Sequence, residues 1–485
     1  MTKLSEKKSY DLVVIGSGPG GIHAAIQASK LGKKVAIIEK TVNKLGGAWI
    51  HTGTIPSKTL REALATVHSI KFHVGKDWVT RMVHDLSAQT LMGRAIQVAD
   101  QEETVVRGYL ERNGVDILVG CGTVEDEGHV RIISTQNTAE VIATESIIIA
   151  TGSRPRRPDD IPFDGWRVVD SDEILKLKAV PEKMIIYGAG VIGCEYACIF
   201  NALGVDTTII DARNVVMQTL DREITEELKS IMEEQGIKFQ LGHTLESVTT
   251  KGPKVIADFS NDLKTESDVL FFAAGRVSNI ESLGLDRHDI KTSARGAILV
   301  NEHYQTSKSN IYAVGDVIGA PALAATSAEQ GRYAAAHAFN CRDRQFPETF
   351  PIGIYTIPEL SSAGKTEEEL KEEKIDYVVG RAGFKEIARG YIRGDTRGLV
   401  KILVSTKTHK ILGIHIVGPD ACNLIHTGVS VMVYDGHIQD LVDKMIFNYP
   451  TLSETYRVAA FNALNKIFPD GLFGNPPQQQ KKEVA

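Results

Sequence analysis

The chain has 485 residues, 42% of them apolar and 24% charged, with a formal net charge of -6. That length suits about three domains, and this composition excludes a disordered chain or a surface built for polyanions such as nucleic acid. Its longest apolar runs, near residues 146–150 and 269–274, fall far short of the ~20 residues that span a bilayer. The first eleven residues, MTKLSEKKSYD, lack the apolar core of a signal peptide, and the five cysteines (Cys121, Cys194, Cys198, Cys341, Cys422) form no CxxC pair. Both features predict a cytoplasmic protein with reduced thiols. Cys194 and Cys198, one helical turn apart, are expected to pack a helix against a sheet.

In chain order, residues 11–15 (DLVVI) read as a strand, GSGPGG as a tight loop, 22–31 as a helix, and 34–38 as a second strand ending at Glu39. This is a dinucleotide-binding βαβ unit. Gly16 permits the turn, Gly18 lets backbone approach a pyrophosphate, Gly21 lets helix and strand pack, and Glu39 accepts from a ribose. The stretch GGAWIHTGTIPSK, residues 46–58, follows directly. Residues 147–153 (IIIATGS) form an apolar strand that breaks at Thr151-Gly152.

The glycine device then recurs. Residues 183–187 are a strand, Gly188, Gly190 and Gly193 form the loop, residues 195–203 are a helix, and the strand 207–210 leads to Asp211. The interval from first glycine to acid is the same in both copies, so two dinucleotides are expected, the second unit inserted in the first. Residues 269–276 (VLFFAAGR, containing Gly275 and Arg276) close that insertion, and 311–317 (IYAVGDV) end a strand at Gly315-Asp316, where open α/β sheets bind ligands. A helix is predicted over 324–340. From Pro351 the pattern turns to strands near 377–380, 399–404 and 410–417 with helices from Ala421, an α+β domain without a glycine fingerprint. The last residues, NPPQQQKKEVA, have a disordered composition.

The fold expected is α/β: two doubly wound Rossmann-like dinucleotide-binding domains plus a C-terminal α+β dimerisation domain. The boundaries expected are 8–150 and 273–348 for the first nucleotide domain, 151–272 for the second, 349–470 for the C-terminal domain and 471–485 for a disordered tail. His51, His415 and His426 show no metal-ligand spacing, and no metal is expected.

Both fingerprints, IPSK, the ATG turn, YAVGD and PTLSE, in this order, resemble the two-dinucleotide flavoprotein disulfide oxidoreductases over residues 8–468. Within them, GGAWIHTGTIPSKTLRE, IYTIPE and FNYPTLSETYRVAAFNALNK are most similar to the soluble pyridine nucleotide transhydrogenase subgroup. The resemblance implies FAD on Gly16, Gly18, Gly21 and Glu39, with Asp316 on its ribityl chain and Gly47, Gly122, Thr151, Gly152, Gly275, Arg276 and Gly315 completing the cofactor sites. It implies a nicotinamide dinucleotide, NAD(H) or NADP(H), on Gly188, Gly190 and Gly193, and a Lys58–Glu195 pair that poises the flavin. A homodimer or higher homo-oligomer is also implied.

The family pattern GGxCxxxGCxPSK places Trp49 and Thr54 where a redox-active cysteine pair belongs, and Tyr449 where its catalytic histidine belongs, although Glu454 is kept. The subgroup keeps a cysteine where this chain has Trp49. Neither Trp49 nor Thr54 supplies a thiolate, so the expected reaction is hydride exchange between NADPH and NAD+ through the flavin. Two readings stay open beside it: a quinone or dye reductase, and a non-catalytic flavoprotein. Trp49 either packs beside the isoalloxazine or fills a lost channel. Asp211 favours NAD by repelling a 2′-phosphate, whereas Arg213 either swings to such a phosphate or is a solvated surface residue.

Overall fold

The computed structural model describes residues 9–75, 88–341 and 346–469. The expected tail lies outside them. The chain divides into two compact units, one drawn from Met1–Ala63, Leu86–Gly188 and Thr244–Pro347, the other from Leu64–Asp85, Ala189–His243 and Glu348–Ala485.

The first unit is built on a parallel sheet. Strand β1 (Ser9–Ile15) leads through helix α1 (Pro19–Lys30) to β2 (Val35–Glu39), and the strands lie in the order β3 (Asp116–Val119), β2, β1, β6 (Ala139–Ile149), with β17 (Ile311–Ala313) on the far side of β6. All these neighbours run parallel. Strands β1 and β2 are apolar throughout because parallel strands are covered on both faces; Leu12, Val13, Val14, Ala36 and Ile37 are fully buried. The first half of β6 also pairs antiparallel with β5 (His129–Ile133), which pairs with β4 (Cys121–Asp126). Helix α1 begins three residues earlier than the sequence pattern predicts, because Pro19 suits the first turn, where an N–H has no partner to lose.

Between these segments, β7 (Ser153–Pro155) pairs antiparallel with β16 (Arg276–Ser278), so the two expected crossings run side by side. Strand β15 (Val269–Phe272) lies parallel between β8 (Val168–Val169) and β9 (Lys183–Tyr187), and β12 (Leu245–Lys251), β13 (Lys254–Phe259) and β14 (Leu263–Ser267) form a meander.

In the second unit, helix α5 (Val191–Ala202) follows the second glycine loop, and β10 (Asp206–Asp211) pairs parallel with β11 (Lys238–Leu241). The C-terminal part is an antiparallel sheet of β18 (Ile352–Ile354), β19 (Glu359–Gly364), β22 (Ile411–Gly418), β21 (Leu399–Ser405) and β20 (Tyr377–Gly383), in that order. Helices α10 (Ala421–Val433) and α12 (Glu454–Ile467) share its core, where Tyr456 is fully buried and donates its hydroxyl to the Leu424 carbonyl at 2.9 Å. The expected α+β character of this region follows from its strand alternation.

A buried ionic cluster also lies in this unit. Lys401 on β21 is fully buried, and its Nζ contacts Asp221 Oδ1 at 2.8 Å, Glu223 Oε2 at 2.9 Å and Glu367 Oε2 at 2.5 Å. Asp221 caps helix α6 (Arg222–Glu234), Glu223 lies in its first turn and takes a two-pronged contact from Arg381 at 2.7 Å, and Glu367 opens helix α8 (Glu367–Glu372). No helix among the described residues is long and apolar enough to cross a membrane.

Candidate active site

The first glycine loop is a cradle that side chains cannot enter. Gly16 has φ +106°, and a Cβ there would lie 2.3 Å from the Ala150 carbonyl oxygen; one on Gly21 would lie 2.0 Å from the Gly16 oxygen. By contrast, a Cβ on Gly18 meets only Ala150 O, at 3.9 Å, so this glycine faces open space at the N-terminus of α1. That helix start has no side-chain cap and no acidic residue in its first turn. Exposed N–H groups and the positive end of the helix dipole then favour a pyrophosphate. At the tip of β2, buried Glu39 accepts the Thr41 N–H at 2.9 Å and the Ser17 hydroxyl.

The Gly46-Gly47 turn docks on this loop. Both glycines have positive φ, the Gly46 N–H donates to the Ser17 carbonyl at 3.0 Å, and a Cβ on Gly47 would stand 3.8 Å from Gly18. The turn starts helix α2 (Ala48–His51), which carries Trp49, and helix α3 (Thr54–Val74) begins at Thr54. Pro56 falls in the first turn of α3, and the Ser57 hydroxyl donates back to the Gly53 carbonyl at 2.8 Å. Lys58, one residue on, is partly buried. Trp49 packs its partly buried ring against the apolar core that includes Leu12, Ile37, Leu45 and Ile50. His51 donates from Nε2 to the Leu45 carbonyl at 2.9 Å.

A polar chain approaches the same region from the crossings. Arg276 Nε donates to the Ser153 hydroxyl at 2.8 Å, and that hydroxyl donates to Asp316 Oδ2 at 2.7 Å. Thr151 and Asn279 exchange hydrogen bonds at 2.7 and 2.9 Å, holding the Thr151-Gly152 turn. Gly315 donates its N–H to Gln330 Oε1 at 2.8 Å, and Gly275 accepts from the Arg156 N–H at 3.1 Å. Gly122 packs on the sheet, where a Cβ would meet Ile15 and Ile38 at 3.0 and 3.3 Å. Asp172, whose carboxyl burial pushes above the ordinary range, hydrogen-bonds Thr52 between Trp49 and Thr54. Ser17, Ser153, Thr52 and Asp172 were not legible as site residues. Ser17 lies inside the glycine loop and Ser153 ends the ATG turn, so position alone was the available signal for those two.

The second glycine loop repeats the first. Gly188 has φ +124° and a Cβ there would lie 2.6 Å from the Ala273 oxygen; Gly190 has nothing within 4 Å and caps α5 with no side-chain bond. Helix α5 starts at Val191, ahead of the predicted residue 195, because the last fingerprint glycine, Gly193, sits inside the first turn. Glu195 is buried, and its Oε1 accepts the Tyr355 N–H at 2.8 Å. Cys194 is buried too, and burial pushes its thiol well above the usual range. At the tip of β10, Asp211 is held in a fork by Arg213, Nε to Oδ1 at 2.9 Å and Nη2 to Oδ2 at 2.7 Å. The arginine, 49% exposed, thus lies along the acid.

In the C-terminal part, Tyr449 is 69% exposed, while Glu454 is buried with an Oε2 that has no hydrogen-bond partner among the described residues. None of the described cysteines is joined in a disulfide.

Comparison with known proteins agrees with this geometry. The pyridine nucleotide-disulphide oxidoreductase model matches residues 10–331, and the dimerisation domain of the same family matches 350–460. The chain belongs to this family. It is similar to the soluble pyridine nucleotide transhydrogenase of Mycobacterium tuberculosis, 43% identical over 95% of this chain and 98% of that one. The transhydrogenase of Sodalis glossinidius is 42% identical over 96% of this chain and all of its relative. Among solved structures, the HOCl-induced flavoprotein disulfide reductase RclA of Escherichia coli superposes with a TM-score of 0.82 at 27% identity, covering 92% and 98% of the two chains.

Proposed function

We propose that this chain is an FAD-dependent transhydrogenase, which moves a hydride between NADPH and NAD+ without a redox disulfide. The observation that carries this reading is the Gly46-Gly47 turn docked on the first glycine loop and leading into Trp49 and Thr54: a family site has kept its scaffold and contains no thiol there. The names of the relatives support it.

In this reading the α1 N-terminus with Gly16, Gly18 and Gly21 holds the FAD pyrophosphate, Glu39 its adenosine ribose, and Asp316, oriented by Ser153 and Arg276, its ribityl hydroxyls. Bound flavin supplies a two-electron acceptor and donor, so successive nicotinamides exchange a hydride with no protein nucleophile. The protein's part is to bind, orient and exclude. Gly188, Gly190 and Gly193 admit a nicotinamide dinucleotide's pyrophosphate, and Asp211 and Arg213 meet its ribose. Lys58 lies on α3, close in sequence to the docked turn, where a basic side chain favours electron density arriving on the flavin. Trp49 fills, with packed apolar surface, the space a dithiol and its substrate would need. The domain limits 8–150 with 273–348, 151–272 and 349–470 are the frame we assign to these roles.

We also assign a cytoplasmic homodimer, in keeping with described cysteines that form no disulfide and with the strongly exposed Tyr434 and Ile446 of the C-terminal domain, 85% and 97% accessible in one chain. The direct test mixes purified protein with NADPH and thio-NAD+ without oxygen and follows thio-NADH. Sustained thio-NADH formation is expected. Flavin that bleaches without thio-NADH appearing would overturn the assignment in favour of a quinone or dye reductase.

A further inference from the structure

The Asp211–Arg213 pair raises the question of how one pocket can serve both nucleotides. The Asp211 carboxylate accepts four hydrogen bonds: from the Ala189 N–H at 2.7 Å, the Arg213 N–H at 2.8 Å, and the two guanidinium contacts. Burial alone would raise this acid; the Arg213 fork and the two backbone donors outweigh it and hold the carboxyl below its ordinary range. The ionised acid is itself buried, whereas the Arg213 side chain is half exposed. The turn that carries them is fastened by His243 N–H to Asp211 O at 3.0 Å and Gly242 N–H to Arg213 O at 3.2 Å. A Cβ on Gly242, just past β11, would lie 2.5 Å from Asn214 Oδ1, so the Asn214 side chain sits against this glycine.

A bare carboxylate at this place in a dinucleotide fold binds a free 2′-hydroxyl and repels a 2′-phosphate. Here a delocalised, permanently charged guanidinium cancels it at hydrogen-bond distance. We propose that Arg213, fixed on Asp211 rather than swinging from it, is the specificity residue that lets one pocket admit both NAD(H) and NADP(H). With the Asp211 oxygens filled, a 2′-hydroxyl accepts from the half-exposed guanidinium edge, and a 2′-phosphate finds the same positive edge, its charge balanced by the acid behind it. Neither nucleotide requires the pair to reorganise, so each exchange leaves the site ready for the other. This inference rests on the transhydrogenase reading for its purpose, and on the fork alone for its chemistry.

The test compares holoenzyme with Arg213→Gln, Arg213→Lys and Asp211→Asn. Two readouts are taken: the dissociation constants of NADPH and NADH from anaerobic stopped-flow reduction of the flavin, and calorimetric binding of adenosine 2′,5′-bisphosphate against 5′-AMP. Arg213→Gln exposes the acid and is expected to lower the NADPH-to-NADH affinity ratio by on the order of tenfold to a hundredfold, the range of a charge-assisted contact. Arg213→Lys, a point charge without the fork, should recover part of that ratio, and Asp211→Asn should move it the opposite way. Equal weakening of both nucleotides in Arg213→Gln, or failure of the wild type to bind the bisphosphate, overturns the proposal. If no nucleotide reduces the flavin yet Arg213→Gln selectively loses the bisphosphate, the transhydrogenase reading fails and the pocket inference stands.

Discussion

Replacing Gly21 by alanine should cost the protein its FAD. The added Cβ would lie 2.0 Å from the Gly16 carbonyl oxygen and 3.1 Å from Val14 Cγ1, while real side chains essentially never approach below 3.0 Å. The atom in the way is backbone, and it has nowhere to retreat. The Gly16 N–H is tied to the Ile38 carbonyl at 2.9 Å, and its α-carbon already faces the Ala150 oxygen in a conformation with φ +106°. Relief of about 1 Å therefore has to come from moving the loop away from α1. Overpacking of this kind costs ~1–3 kcal/mol, and because the loop is the proposed pyrophosphate cradle, the same distortion weakens FAD by roughly fivefold to more than a hundredfold. Apoprotein titrated with FAD, read by flavin fluorescence quenching, gives the affinity, and the flavin-to-protein ratio after desalting gives retention. Gly93→Ala is the control. Gly93 is exposed on helix α4 (Ala88–Arg112) with nothing within 4 Å, so alanine there should stabilise by ~1 kcal/mol through helix propensity and leave FAD affinity alone. A Gly21→Ala protein that binds FAD as tightly as the wild type would refute the cradle.

Three further outcomes are expected. Lys401→Met leaves Asp221 in the interior without its cation and should cost about 3–5 kcal/mol, read as a lower urea midpoint at unchanged slope. For Glu367, burial alone would raise the carboxyl, but hydrogen bonds from Lys401 and Tyr377 bring it from 4.5 down to about 2. A depressed acid stabilises the fold above its unfolded value and loses that contribution as pH falls from 4.5 through about 2; melting temperatures over that window should drop less steeply in Glu367→Gln. N-ethylmaleimide at neutral pH should label exposed Cys341 and spare Cys194, whose buried thiol is shifted upward, while transhydrogenation continues; inactivation in step with labelling would implicate a thiol in turnover.

Much of the fold was legible because its determinants are local. The runs at residues 11–15 and 183–187, each followed by a glycine loop, a helix and a second strand that ends at an acid, became β1 and β9 with α1 and α5 behind them, since glycine spacing fixes turn, helix start and packing together. Helix starts were less legible, as Pro19 and Val191 show, because a first turn can absorb proline and glycine. The partners of the site residues were not legible at all. The docking of Gly46 on Ser17, the Arg276–Ser153–Asp316 chain and the Thr52–Asp172 bond join residues up to 163 positions apart. Such contacts depend on tertiary register, which no local pattern encodes. Arg213 was visible as a charge near Asp211, but which way its guanidinium turned was not.

The two acids at the strand tips show how one sequence device serves two kinds of ligand. Glu39 is held by neutral donors, the Ser17 hydroxyl and the Thr41 N–H, which leave its carboxyl group to grip a ribose. Asp211 has the same position in its own unit and gives its charge to Arg213. A cofactor that stays gains from an uncompensated acid, because every increment of ribose affinity slows its loss. A nucleotide that must leave each cycle, and be replaced by one with an extra phosphate, gains from a site whose field is already cancelled. If that is the reason for the difference, placing an arginine beside Glu39 by Thr41→Arg should weaken FAD, whereas removing Arg213 should tighten the preference for NADH. Measured together on one holoenzyme preparation, the two changes separate retention from exchange. Tighter FAD in Thr41→Arg would show that the charge on Glu39 is not what holds the cofactor.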